Sequence, residues 1–278
     1  MTAARILLDS FIDDAGLFPP ARKPMERAVA DHRAARAGDH AWMLGRFLCP
    51  VSRLDELAAA GPDPDWRLGV VVDVPDWRAA FAAAGAYAGP GTVDALELKL
   101  PPDPVGAVLD AAPEGVEVYV EVPVHEARAM TTALEDLAAG GRAGAKIRCG
   151  GVTPDAFPPD EAVVRFVLEC RRLGLRFKAT AGLHHPFRTR DEEIGVLQHG
   201  FVNLLAATAA PDADTAKVIA ERDPAAFELA GDAIGWRGVF GDAAEARAHF
   251  TGQGSCSFSE PVEDLLAHGI LGAAAARA

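Results

Sequence analysis

Cysteine is scarce in this sequence, and its spacing shows no pairing pattern. The 278 residues include four cysteines and no C-x-x-C pair. A disulfide framework or a structural zinc site needs more cysteines or closer spacing. The sequence therefore argues against a fold held together by disulfides and against one held together by a zinc ion. The four positions are Cys49, Cys149, Cys170 and Cys256.

Long apolar runs and phosphate-binding loops are also missing. No apolar run approaches 18 residues, and the N-terminus lacks a basic stretch followed by a long apolar core. These absences predict no signal peptide, no transmembrane span and a cytoplasmic location. Neither G-x-G-x-x-G nor G-x-x-x-x-G-K-[ST] occurs, which argues against an open nucleotide-binding sheet.

Positive charge is the third shortage. The chain has 27 Lys and Arg against 40 Asp and Glu, a formal net charge of −13. An acidic surface repels nucleic-acid phosphates and anionic lipids. The sequence thus predicts a small-molecule substrate as partner, with no nucleic acid and no membrane, and a homo-oligomer is compatible with it.

What the sequence does contain is a repeated strand–helix pattern. Six β-rich runs start 25, 26, 23, 29 and 30 residues apart, each followed by an Ala/Leu-rich stretch with charges at helical spacing. Such βα units predict parallel strands with right-handed crossovers. We expect an α/β fold, a (β/α)8 (TIM-like) barrel with an N-terminal helical and loop extension; an open doubly wound sheet is second. The runs are 42–50, 67–74, 93–101, 116–123, 145–151 and 175–182.

The two ends of the chain give weaker patterns. We expect residues 1–278 to form one barrel domain, in which 1–41 is an extension and lid with a helix over 23–37. Residues 200–210 fit either a seventh strand or the continuation of a helix that begins at Arg190. Further expected elements are helices over 214–222 and 224–236, and a last strand running into a helix over 254–265.

Charged residues in the runs share one parity. Side chains alternate along a strand, and the outward face of a barrel packs against helices. The apolar residues therefore face outward, and the charged ones point into the barrel, near the strand ends that carry catalytic groups. Stacked structural ion pairs or an exposed edge strand would give the same alternation, and Glu117 and Lys146 suit a structural role best. The inward set is Glu97, Lys99, Glu121, Lys146, Arg148 and Lys178.

The segment F-K-A-T-A-G-L-H-H-P, residues 177–186, supplies the first candidate chemistry. A lysine in a dry pocket beside other cations has a lowered pKa and can attack a carbonyl. We expect Lys146 and Arg148 on the adjacent strand to act on Lys178 in this way. Glu121 or Glu97 would move protons, Lys146 would assist, and Thr180 would bind a substrate hydroxyl.

F-K-A-T-A-G resembles the K-T-S-T-G segment of deoxyribose-phosphate aldolase and its relatives. The resemblance implies a class I aldolase-type lyase in which Lys178, on the sixth βα unit of the pattern, forms the Schiff base. In that family a second lysine lies on the strand after the nucleophile, whereas Lys146 lies on the strand before Lys178.

Other groups support binding roles and rival functions. His184 and His185 follow the sixth run directly, while Ser257 and Glu260 lie in a loop that could meet a phosphate, an amine or a hydroxyl. Lys99 and Arg148 are further substrate-binding candidates. We expect no cofactor, but a divalent metal on barrel carboxylates, in a lyase or isomerase, is one alternative. The other is a barrel that binds a small molecule without catalysis.

Overall fold

Eight parallel strands close into a barrel in the computed structural model, which describes residues 1–101 and 103–271. The barrel consists of β1 to β7 and β13, and β13 lies between β7 and β1. The (β/α)8 prediction is confirmed. The strands are β1 Ile12–Asp14, β2 Leu44–Pro50, β3 Arg67–Val71, β4 Thr92–Lys99, β5 Glu117–Glu121, β6 Ala143–Arg148, β7 Phe177–Thr180, β8 Thr189–Asp191, β9 Val196–Gln198, β10 Phe227–Ala230, β11 Ala233–Trp236, β12 Val239–Asp242 and β13 Phe250–Ser255.

Helices cover the outer face of the barrel. None in the described part of the chain is long and apolar enough to cross a bilayer. The expected helix over 23–37 is confirmed as α2. The helices are α1 Ala3–Leu8, α2 Met25–Arg36, α3 Leu54–Ala60, α4 Trp77–Gly85, α5 Val105–Ala111, α6 Ala127–Gly140, α7 Asp160–Arg172, α8 Phe201–Ala209, α9 Asp212–Ala220, α10 Ala243–His249 and α11 Ser259–Ala267.

The outward residues of the strands build the hydrophobic layer under these helices. All six predicted strands are present, and their alternate apolar side chains are buried in one core, as parity required. Burial of each such side chain contributes about 1.5–3 kcal/mol. The same alternation turns the charged residues into the lumen. Buried outward residues include Leu96, Leu98, Val118, Val120, Ile147 and Phe177.

The first barrel strand lies inside the segment that the sequence pattern assigns to an extension. Ile12–Asp14 pairs in parallel with β13 on one side and with β2 on the other. Lys178 therefore lies on the seventh barrel strand, not the sixth. A strand of three residues, two of them aspartates, is too short to show the alternation that identifies strands from sequence.

The region between β7 and β13 differs most from expectation. Residues 201–209 form α8, so the seventh-strand alternative is wrong, and the residues from Arg190 form the β8–β9 hairpin instead of a helix. The expected helix over 224–236 is also wrong. There β10, β11 and β12 form an antiparallel sheet, with Gly231 and Gly238 at φ 58° and 80° in its two turns. The last barrel strand ends at Ser255, close to where it was expected to start.

Candidate active site

A cavity of about 350 Å³ lies at the carboxyl ends of the barrel strands. This size suits a small molecule. Ala15, Phe18 and Pro19, from the loop after β1, form part of its wall. Seven of the predicted site residues line the cavity together, namely Glu97, Lys99, Glu121, Lys146, Arg148, Thr180 and His184.

Below this cavity, charges of alternating sign form a ladder across the lumen. Lys178 Nζ donates to Asp13 Oδ2 and to Glu97 Oε1. The other oxygen of Glu97 lies 3.2 Å from Lys146 Nζ, which is also 3.2 Å from Glu121 Oε2. The ladder therefore runs Asp13, Lys178, Glu97, Lys146 and Glu121, and only its last three members reach the cavity wall.

Lys178 is the buried member that holds the ladder together. Its side chain is 1% exposed and does not line the cavity. Burial alone would lower the pKa of Lys178, but the carboxylates of Asp13 and Glu97 outweigh burial and raise it above its ordinary value. The expectation of a lowered pKa is wrong, because Glu97 stands between Lys178 and Lys146.

Glu97 is the carboxylate that the two lysines share. Burial would raise the pKa of Glu97, yet Lys178 and Lys146 lower it to about 2. The group is therefore ionised at every pH at which the protein would normally work. A carboxylate held in two ion pairs is a poor proton carrier, which leaves Glu121 as the better acid–base candidate.

Lys146 is the ladder's lysine at the cavity. It extends from β6, and its side chain is 7% exposed, while that of Glu121 on β5 is 14% exposed. The register of the sheet places the two residues side by side. The side chains of Lys146 and Glu121 thus meet at the wall of the cavity, where a small molecule would sit.

Glu117 belongs to a separate network at the opposite end of the barrel. It pairs with Arg46 and with Arg176, while Arg46 also pairs with Asp94. Tyr119 Oη lies 2.9 Å from Thr251 Oγ1 in the same layer. These contacts pair the buried Arg46 with partly exposed carboxylates away from the cavity, and the structural role of Glu117 stays a prediction.

Asp13 is the site residue that the sequence pattern did not assign to the barrel lumen. Its Oδ1 accepts a hydrogen bond from the backbone N–H of Arg46 at 2.6 Å, while Oδ2 receives Lys178. Gly45 makes this possible, because a Cβ at that position would overlap Asp13 Oδ1 and would lie 3.0 Å from Ser10 O. An acidic pair after an apolar residue, I-D-D, was the available sequence signal.

Substitution Gly45→Ala is therefore expected to destabilise the protein by about 1–3 kcal/mol, because Asp13 must leave its two partners or the strands must separate. The change is measured as the shift in the free energy of unfolding in urea. Gly106→Ala in α5 is the matched control, since no described atom lies within 4 Å of a Cβ built there. Equal stability of the two variants would contradict the close approach of Gly45 to Asp13.

A second cavity, of about 450 Å³, adjoins the first beneath the β8–β9 hairpin. His184 lines both cavities, and its Nδ1 lies 3.2 Å from Glu260 Oε2 and 3.9 Å from Cys256 Sγ. His185 lines only the outer one and pairs with Asp264. Ser257 lines neither: its Oγ accepts the N–H of Glu260 at 3.3 Å, at the start of α11.

Carboxylates near the cavity do not gather into a metal site. Among residues 1–101 and 103–271, no three His, Cys, Asp or Glu side chains are placed to hold one ion. Glu97 and Glu121 both face Lys146, and Asp73 accepts hydrogen bonds from the hydroxyl and backbone N–H of Ser52. The metal-dependent alternative therefore lacks a ligand set in the described part of the chain.

Comparison with models of known protein families gives no match to this chain. A search among curated proteins gives no match either. The function must therefore be argued from the geometry of the site.

Proposed function

We propose that the protein is a lyase of the class I aldolase type, which acts on a small polar carbonyl compound through a Schiff base at Lys146. The observation that carries this proposal is the position of its amine. Lys146 Nζ borders the cavity between two carboxylates, whereas Lys178 lies beneath and is enclosed by its partners. A nucleophile must reach its substrate, which favours Lys146.

The reaction begins when the ammonium of Lys146 gives a proton to Glu121. The nitrogen lone pair then forms a bond to the carbonyl carbon, and the carbonyl oxygen takes the proton held by Glu121. The nitrogen gives a second proton to Glu121, which yields the neutral carbinolamine. Glu121 returns that second proton to the oxygen, which leaves as water and produces the iminium ion. Glu121, 3.2 Å from the amine, is placed to carry these protons.

Cleavage then uses the iminium as an electron acceptor. The bond that breaks joins the carbon next to the iminium to a carbon that carries a hydroxyl. This hydroxyl loses its proton and becomes the carbonyl of the first product, while the electrons of the broken bond convert the iminium to an enamine. Proton uptake at the enamine carbon and attack of water on the resulting iminium release the second product. Water used here replaces the water lost earlier, so the cycle is balanced.

Lys178 has a positioning role in this proposal. By neutralising one oxygen of Glu97, it leaves the other oxygen to orient Lys146. The order of the two lysines also matches that of deoxyribose-phosphate aldolase, but their roles differ from those that the resemblance of the segment around Lys178 implies. With Lys146 on β6 as the nucleophile, Lys178 on β7 is the lysine on the following strand.

Borohydride trapping tests the proposal. The protein is treated with a panel of small aldehydes and ketones and with borohydride, and the reduced adduct is located by peptide mass spectrometry. We expect one saturable adduct, on the peptide that contains Lys146. Exposed Lys217, outside both cavities, reports the background labelling.

Other outcomes would redirect the assignment. An adduct at Lys178 would contradict the proposed nucleophile. Labelling of Lys146 no stronger than that of Lys217 would contradict Schiff-base chemistry. In that case, turnover of a compound from the panel that is lost in EDTA would favour the metal-dependent alternative. Binding of such a compound without turnover would favour a barrel that binds a small molecule without catalysis.

A further inference from the structure

Two cations on the cavity wall have donors that no described acceptor satisfies. Lys99 and Arg148 form no ion pair within 4.0 Å in the described part of the chain, although both line the cavity. The acidic groups around them are occupied: Glu97 and Glu121 by Lys146, and Asp73 by Ser52. Both side chains are exposed at the cavity, so water or a bound molecule supplies the acceptors for their donors.

The guanidinium of Arg148 is held in a definite orientation. Its Nε donates to Gly150 O at 2.9 Å, which leaves the Nη1–Nη2 edge free. A fixed, free guanidinium edge matches the two oxygens of a carboxylate.

The two cations flank the proposed reaction centre. Lys99 at the end of β4 is level with Glu121, and Glu121 is level with Lys146. Arg148 stands two residues beyond Lys146 on the same face of β6, about 7 Å nearer the mouth. An acid group held by Arg148 would therefore lie on the mouth side of a carbonyl at Lys146, and Lys99 would approach it from the strand beyond Glu121.

We propose that the substrate is an oxo acid, whose carboxylate binds Lys99 and Arg148 while its carbonyl meets Lys146. The inference rests on the proposed Schiff-base function. A carboxylate is favoured over phosphate because Glu121 and Asp73 share the cavity wall and would repel a dianion more strongly than a monoanion.

Trapping with pyruvate and with acetone tests the carboxylate. These ketones differ in that a carboxylate replaces one methyl group, and their adduct yields at Lys146 are compared at limiting concentration. Arg148→Gln and Lys99→Gln are each expected to lower the pyruvate-to-acetone ratio roughly ten- to a hundredfold, the worth of one charge-assisted hydrogen bond. Arg165→Gln, which removes an exposed arginine of α7, should leave the ratio unchanged.

An unchanged ratio in both cavity variants would overturn the carboxylate site and leave Lys146 chemistry intact. A second measurement separates the two hypotheses further. Pyruvate is expected to raise the Tm of Lys146→Arg protein, which cannot form an imine, but not that of the same protein also carrying Arg148→Gln. The proposal would also be overturned if inorganic phosphate, but not pyruvate, raised this Tm, or if neither anion raised it.

Discussion

Replacement of Lys178 by methionine is expected to destabilise the protein by about 3–5 kcal/mol, more than any other single change at the site. The methionine fills similar space but leaves Asp13 and Glu97 buried without their shared cation. The cost follows from two carboxylates that have lost a partner in a medium of low polarity. The free energy of unfolding in urea measures it.

Lys217→Met is the matched control for the loss of a lysine, because Lys217 is 66% exposed and pairs only with nearby Asp214 among the described residues.

The dependence of the free energy of unfolding on pH, on the acidic side, gives a second test. Glu97 contributes stability that is fully present above its unfolded pKa of about 4.3 and is lost as pH falls toward 2. That loss should shrink in Lys178→Met. Equal stability of the position 178 and position 217 variants would contradict the ladder.

Lys146→Arg is expected to lower turnover at least about a thousandfold, because arginine keeps the positive charge but cannot form an imine at neutral pH. The ion pairs with Glu97 and Glu121 can persist in this variant, so its Tm should stay within a few degrees of wild type. Turnover of whichever carbonyl substrate gives the trapped adduct, measured under single-turnover conditions, provides the comparison.

Glu121→Gln distinguishes a nucleophile from its proton carrier. It removes the acid–base group but leaves the amine of Lys146, so we expect slow but detectable adduct formation, where Lys146→Arg shows none. Retention of turnover in Lys146→Arg would exclude a Schiff base at this residue.

The sequence could predict those parts of the fold that follow from strand periodicity. Runs such as V-E-V-Y-V-E-V, residues 116–122, alternate apolar and charged residues, and only one assignment of faces buries the apolar set against helices. The same parity brought Glu97, Glu121, Lys146 and Arg148 to one lumen. Six of the eight barrel strands and the inward set were therefore within reach of elementary rules.

Sequence reasoning could not separate the roles of the two lysines. Lys146 and Lys178 have the same parity and lie level on neighbouring strands. Which of them faces the cavity depends on Asp13, and its strand is too short to be recognised. Likewise, the segment A-A-F-E-L-A, residues 225–230, is rich in helix-compatible Ala, Leu and Glu, but its pairing with β11 overrides that local preference.

The short strand β1 also determines when the site can form during synthesis. Its neighbours are β2, made soon afterwards, and β13, which ends at Ser255. The ion pair between Asp13 and Lys178 spans 165 residues. A ribosome must therefore synthesise the chain as far as Ser255 before Asp13 is enclosed, and until then the carboxylate of Asp13 is open to solvent on that side.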